Sequence, residues 1–223
     1  MTIYHVLNVC VSNPLVQYGE QNFLIGAETE HFLLEKSRLV NQAPNERNYH
    51  VFYQIVRGLS ANVKQELELS EPENFRILNG GDNTVLNDEL DDVVQFRELQ
   101  ECMKILAISD DEMLCMWQLL AALLHLGNLL IIESGTEAPC EITSVGAATS
   151  KIAAWLGVTE NDLVEAVRTR TTTAVRGETM QIPLSGTETQ NNLYALIKWL
   201  YGSLFGCIIA KINEIHGNQT KHA

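Results

Sequence analysis

Residues 42–58 read QAPNERNYHVFYQIVRG. Tyr49, Phe52, Tyr53 and Val56 fall at i, i+3, i+4 and i+7, which places four apolar side chains on one face of an α-helix. Pro44 and Asn45 precede this run as start signals, and Gly58 follows it as a stop. The stretch is therefore predicted to be a helix opening near Pro44 and packing through an aromatic face.

The same periodicity recurs downstream. Ser109 and Glu112 form an S-x-x-E capping box ahead of Met113, Met116, Trp117, Leu120 and Leu124, with Gly127 as the terminator. Thr159 to Asp162 is a weaker box before Leu163 and Val167. The longest helical pattern runs from about Glu188 to Ile215, through Leu193, Ile197, Leu200, Leu204, Ile208 and Ile212. At 1.5 Å per residue it spans about 42 Å. Apolar residues cover nearly all of its circumference, so it is expected to be a buried central helix.

Strand signals are few. Asn22–Ala27 and His31–Val40 read as extended, and the Thr/Val-rich segment Arg170–Pro183 reads as a hairpin turning at Arg176-Gly177-Glu178. Residues 65–101 hold eleven acids against two arginines and include Asn79-Gly80-Gly81-Asp82, which is read as a solvated helix face plus a loop. Residues 133–150, with Gly135, Pro139 and Gly146, read as loop. The fold class is mainly α with a few β strands.

The 223 residues carry 15 Lys+Arg against 28 Asp+Glu, a formal charge of −13. A nucleic-acid binder or an anionic-membrane binder leaves a basic footprint, so both classes are disfavoured. Five widely spaced cysteines, an odd number without CxxC, argue against a disulfide framework or a structural zinc site and fit a reducing compartment. The N-terminus lacks the pattern of a signal peptide, and the least polar run, Trp199 to Ala210, is shorter than the roughly 20 residues of a membrane span. A cytosolic, soluble protein is expected.

Motifs of catalysis are missing from the sequence. It has no Gly-Lys dipeptide and hence no GxxxxGK[ST] phosphate loop, and no GxGxxG, HExxH, GxSxG or EF-hand pattern. His125, within Leu-Leu-His-Leu-Gly, is expected to be a hydrogen-bonded core histidine rather than a ligand. Cys115 and Cys207 lie in helical apolar runs and are read as small hydrophobes. Asn218-Gln-Thr220 matches a glycosylation acceptor by chance.

Longer strings carry more. Gly26-Ala27, then Phe32-Leu-Leu-Glu-Lys-Ser-Arg38, then Gln42 to Gln54 closely resemble the segment that follows switch I in the myosin motor domain. The resemblance continues in order through Ile77-Leu-Asn79, Leu123-Leu-His-Leu-Gly-Asn128, Trp155-Leu-Gly-Val158, Arg168-Thr-Arg170, Arg176-Gly-Glu-Thr179 and Leu204-Phe205 to Ile212-Asn213. It implies a fragment of the P-loop α/β myosin motor domain. Residues 1–14 are unmatched, and 15–217 are the partial motor domain. Within it, transducer strands lie at about 15–42 and the helical upper actin-binding subdomain at about 44–217. Residues 218–223 form a tail.

In that family this region forms one wall of the actin-binding cleft. By position, Arg168 to Pro183 resembles the hairpin that contacts actin, which makes Arg168, Arg170, Arg176, Gly177 and Glu178 the candidate actin contacts. Basic side chains on an acidic protein would steer docking to acidic actin. The alternative is a solvated hairpin whose arginines pair with neighbouring acids. Residues 133–141 resemble a second actin-facing loop, but Glu133, Glu137 and Glu141 give it no base.

The family's phosphate loop lies upstream of the matched region. Its switch I would fall at residues 5–13, which read His5-Val-Leu-Asn-Val-Cys-Val-Ser-Asn13 and do not match, and its switch II would follow the long helix. No catalytic, nucleotide or metal residue is therefore transferred. Mg-ATP and actin-activated ATPase activity are expected of the complete parent motor and not of this piece. Expected partners are actin filaments and the remainder of a myosin heavy chain, with light chains only through a neck, at the cytoplasmic actin cytoskeleton. The loss of similarity at both ends is what an excised or truncated piece would show. Unpaired strand edges near residues 15–40 would make it poorly soluble. The rival reading is a non-enzymatic actin-binding or scaffold protein that reuses the subdomain.

Overall fold

The computed structural model describes residues 14–18, 24–29, 34–44, 46–79, 91–133, 139–173 and 179–219. Residues 5–13, Gly80 to Asp82, Arg176 to Glu178 and 220–223, on which some of the readings above fall, lie outside them. Strands β1 (Pro14–Tyr18) and β2 (Leu24–Thr29) pair antiparallel, with Pro14 opposite Thr29 and a register shift between Gln17 and Tyr18. Helices α1 (His50–Gly58) and α2 (Ala61–Glu66) follow, then two 3-10 turns at Pro72–Asn74 and Arg76–Leu78. Next come α3 (Asp92–Ile105), α4 (Asp110–Gly127) and the hairpin of β3 (Leu129–Ile132) with β4 (Glu141–Ser144). Helices α5 (Thr149–Trp155) and α6 (Glu160–Arg168) lead into a second hairpin, β5 (Thr169–Thr173) with β6 (Thr179–Pro183), and α7 (Gly186–Gln219) follows it. The described residues are mostly helical, with three two-stranded antiparallel sheets.

Helix α1 is buried along most of its length. Six successive residues, Val51 to Val56, are buried; α3 and α4 pack on the helix, and Tyr201 of α7 stacks on Tyr49 and Phe52. Its start differs from the sequence reading: the helix opens at His50 rather than Pro44, with Tyr49 as its cap. Asn48 is the reason. Its backbone N–H donates to the Tyr53 hydroxyl at 3.2 Å, and its amide donates to the carbonyls of Leu39 at 3.1 Å and Ile77 at 2.8 Å. The Asn48 side-chain oxygen accepts from the N–H of Tyr49 at 2.8 Å. With its N–H given to Tyr53 and its side chain fixed to Leu39 and Ile77, Asn48 sits just ahead of the helix. Gly58 ends the helix as expected, and it also permits a close approach: a Cβ there would lie 2.5 Å from the Phe96 ring of α3.

The long helix was expected to be buried all round, and it is not. One face, carrying Leu193, Ile197, Tyr201, Phe205, Ile208 and Ile212, is buried against α1 and α4. The other face carries Ala195, Trp199, Ser203 and Cys207 at a four-residue spacing and is exposed, Trp199 to 64%. Apolar composition around the wheel reported hydrophobicity, not contact. Gly186–Ile215 is also long and apolar enough by length and composition to cross a membrane, although a third of its most apolar window is buried in protein. Cys115 and Cys207, read as small hydrophobes in apolar helical runs, are both exposed.

The extended reading of His31–Val40 also fails, because Lys36–Leu39 is a 3-10 turn. Its backbone bonds are local, Arg38 N to Glu35 O at 3.0 Å and Val40 N to Ser37 O at 3.2 Å. The turn swings Leu39 fully into the core and brings the Arg38 guanidinium to Glu35 at 2.8 Å. The strand predicted at Asn22–Ala27 is β2, shifted two residues along. The loop expected over residues 133–150 contains β4 and the start of α5.

The capping box holds: Glu112 N–H donates to Ser109 Oγ at 3.2 Å, and Ser109 N–H donates to the Glu112 carboxylate at 2.7 Å. Thr159 caps α6 by accepting from Asp162 N–H at 3.1 Å. His125 is the core histidine expected, 2% exposed and set between Phe75 and Trp155 at centroid distances of 5.5 and 5.6 Å. Its Nε2 lies 3.0 Å from the Leu67 carbonyl oxygen, while Nδ1 has no partner among the described residues.

Burial pushes the His125 imidazole below its ordinary pKa, with the Leu67 carbonyl pulling the other way. Burial also lowers His50, helped by Arg47. A group whose folded pKa is depressed binds its proton first in the unfolded chain, so stability falls as pH drops below the unfolded value of 6.5. Urea midpoints should therefore decline between about pH 7.5 and about pH 5.5. His125→Gln should flatten part of that slope; an unchanged slope would mean that His125 titrates normally.

Candidate functional site

The β5–β6 hairpin is a thin ribbon with little to bury. Its strands read TRTTT and TMQIP, paired from Thr169–Pro183 to Thr173–Thr179, and Arg170 lies opposite Ile182. Arg170, Thr171, Thr172, Met180 and Gln181 are exposed, Met180 to 58%. A two-stranded ribbon of this kind is marginal by itself and takes its order from its attachment.

That attachment is at the base. Leu184 N–H donates to the Arg168 carbonyl at 2.9 Å, closing the ribbon where α6 ends and α7 is about to begin. Asn192 of α7 donates to the carbonyls of Ala166 at 2.8 Å and Val167 at 3.0 Å, satisfying the last carbonyls of α6. The Thr169 hydroxyl donates to Glu165 O at 2.7 Å. The ribbon thus stands on the N-terminal end of a 34-residue helix.

Of the five candidate contacts, the structure describes two. Arg168 ends α6 and turns back on its own helix, donating from Nε to Glu165 at 3.0 Å, so its charge is already engaged. Arg170 is exposed on β5, and among the described residues it has no carboxylate within ion-pair distance. Arg176, Gly177 and Glu178 lie outside the described residues. In the second candidate loop, Glu141 is an exposed strand residue, Glu137 lies outside the described residues, and Glu133 accepts from the N–H of Gly186 at 2.9 Å. That last contact joins the two hairpins across a sequence gap of 53, and no local pattern announces it.

The sequence profile of the family described as myosin head (motor domain) matches residues 15–223. The chain belongs to the myosin head family. Similar proteins include myosin-VIIa of Drosophila melanogaster, 37% identical over 89% of this chain and 9% of that protein. Human unconventional myosin-VI is 31% identical over 92% of this chain and 18% of its own length. The myosin-I heavy chain of Dictyostelium discoideum is 32% identical over 92% of this chain and 9% of its own length. This myosin-head chain thus spans between about a tenth and a fifth of the length of these three relatives.

The myosin family implies Mg-ATP, and neither the sequence motifs nor the described residues supply a set that fits that group. No Gly-Lys dipeptide exists to form a phosphate loop, and among the described residues no group of three or more His, Cys, Asp or Glu side chains converges to hold a metal ion.

Proposed function

We propose that this myosin-head chain supplies an actin-facing wall of an actin-based motor. The β5–β6 hairpin makes the contact, and Arg170 supplies its leading charge. The observation that carries this reading is the exposed Arg170, which among the described residues has no carboxylate within ion-pair distance, on a ribbon whose described residues are mostly solvated, in a chain whose formal charge is −13. An exposed cation on an acidic body helps steer its docking to an acidic surface. The body behind it is one packed core running through α1, α4 and α7, suited to move as a unit when a cleft opens or closes.

Nucleotide chemistry belongs on this reading to other parts of the complete motor, where Mg-ATP would supply the phosphoryl group whose transfer drives the cycle. The remainder of a heavy chain is the second partner. A neck elsewhere would carry light chains, and the site of action is the actin cytoskeleton.

Co-sedimentation of the full chain with actin filaments tests the proposal. Binding should weaken with rising salt, and Arg170→Glu should weaken it further, by about fivefold or more at low ionic strength. Binding no greater than that of an unrelated acidic protein would end this reading, and so would an Arg170→Glu variant that binds like the parent.

A further inference from the structure

The first N–H groups of a helix have no partner inside the helix and need acceptors from outside. For α7, one comes from its own sequence: the Ser185 hydroxyl accepts from Glu188 N–H at 3.4 Å, while the Glu188 carboxylate accepts from Ser185 N–H at 3.0 Å. Gly186 takes its acceptor from a different hairpin. Its N–H donates to Glu133, the residue that follows β3, and a carboxylate at a helix N-terminus also meets the positive end of the helix dipole. The fit is tight. A Cβ at residue 186 would lie 2.5 Å from Glu133 Oε1 and 2.8 Å from its Cγ, so any larger residue there would push the Glu133 side chain out of this position.

A second tie lies one residue before β4. The buried Cys140 thiol points at the Leu184 carbonyl at 3.5 Å. The residues on either side of the β3–β4 connection therefore both hold the segment 184–186, and Leu184 in turn holds Arg168 at the base of the other hairpin. Hydrogen bonds from Ser185 lower the Glu188 carboxyl from its ordinary pKa, and the charge of Arg170 acts in the same direction.

We infer that Glu133 is a positioning residue that clamps the two hairpins together at the N-terminus of α7 and so sets the direction in which Arg170 is presented. The inference rests on the proposal that the β5–β6 ribbon docks on actin. A ribbon whose described residues are mostly solvated is aimed by its base, so stiffness at residues 184–186 becomes orientation at Arg170.

Deuterium exchange and actin co-sedimentation on the full chain test this together. Glu133→Ala should speed exchange by about tenfold across 169–173 and 179–186 while leaving α1 and α4 as protected as before. It should also weaken actin binding severalfold. Glu133→Gln keeps a carbonyl acceptor and should stay within about twofold of the parent on both readouts. Gly186→Ala, which pushes Glu133 aside without removing its charge, should reproduce the loosening even where the alanine variant at 133 folds poorly. Exchange in both Glu133→Ala and Gly186→Ala that matches the parent would overturn the clamp. So would exchange that rises equally everywhere. If the hairpin loosens as expected and neither parent nor variant binds actin, the clamp stands and the docking reading falls.

Discussion

Asp92→Ala is expected to remove about 3–5 kcal/mol of folding stability, a large part of what a domain of this size possesses. Asp92 begins α3, and its carboxylate is fully buried. Arg47 Nη2 donates to both of its oxygens, at 2.8 and 3.0 Å, and Arg57 Nη1 donates at 2.9 Å. The Arg47 guanidinium also lies over the Tyr53 ring at 3.9 Å, so it is held between an anion and an aromatic face. Removing the carboxylate leaves the guanidinium buried with its charge uncompensated, and Arg47 Nε and Nη1 already lack acceptors among the described residues. Arg57 is the lesser loss because its side chain is 30% exposed and can turn to water.

The loss should appear as a drop in urea midpoint at unchanged slope. The double variant Asp92→Leu with Arg47→Met should recover much of it, because a buried ion pair replaced by apolar residues of similar volume is often neutral. A single variant that unfolds like the parent would mean that water reaches this cluster.

Asp92 also shows where the sequence falls silent. It lies in a run of eleven acids and two arginines between residues 65 and 101, and a charge run reads as a solvated face. Nothing local separates Asp91, which caps α3 by accepting from the N–H groups of Val93 and Val94 at 3.0 Å each, from Asp92, which turns inward to partners 45 and 35 residues away. Glu133 is the same case at the candidate site. Short-range chemistry was legible: the Ser109–Glu112 box, the Gly58 and Gly127 stops and the burial of His125 each follow from a few adjacent residues. The hairpin at Arg170–Pro183 was legible too, from its threonines and its turn, and β5 and β6 lie where it was expected. The 3-10 turn at Lys36–Leu39 and strand β4 were not, because they depend on where distant segments leave room.

Phe52→Ala is the second large effect, about 3–5 kcal/mol, and it has to be set against Trp199→Ala. Phe52 is fully buried in α1, and its ring stacks on Tyr201 of α7 at 5.7 Å. Tyr49, one turn earlier, stacks on the same Tyr201 ring at 4.8 Å, so one tyrosine of the long helix closes over two aromatic rings of the short one. Removing Phe52 opens a hole on the seam between these helices, near an existing, mostly apolar space lined by Val51, Leu120, Tyr201 and Phe205. Trp199, two residues before Tyr201 on the same helix, is a larger ring that points to solvent. Its replacement should move stability by no more than about 0.5 kcal/mol in this chain. Size and hydropathy alone give the opposite order. Denaturant unfolding of the two variants side by side decides whether the apolar circumference of α7 acts through one face or through all of it. A Trp199→Ala loss comparable to that of Phe52→Ala would mean that the outer face of the helix is covered when the chain folds.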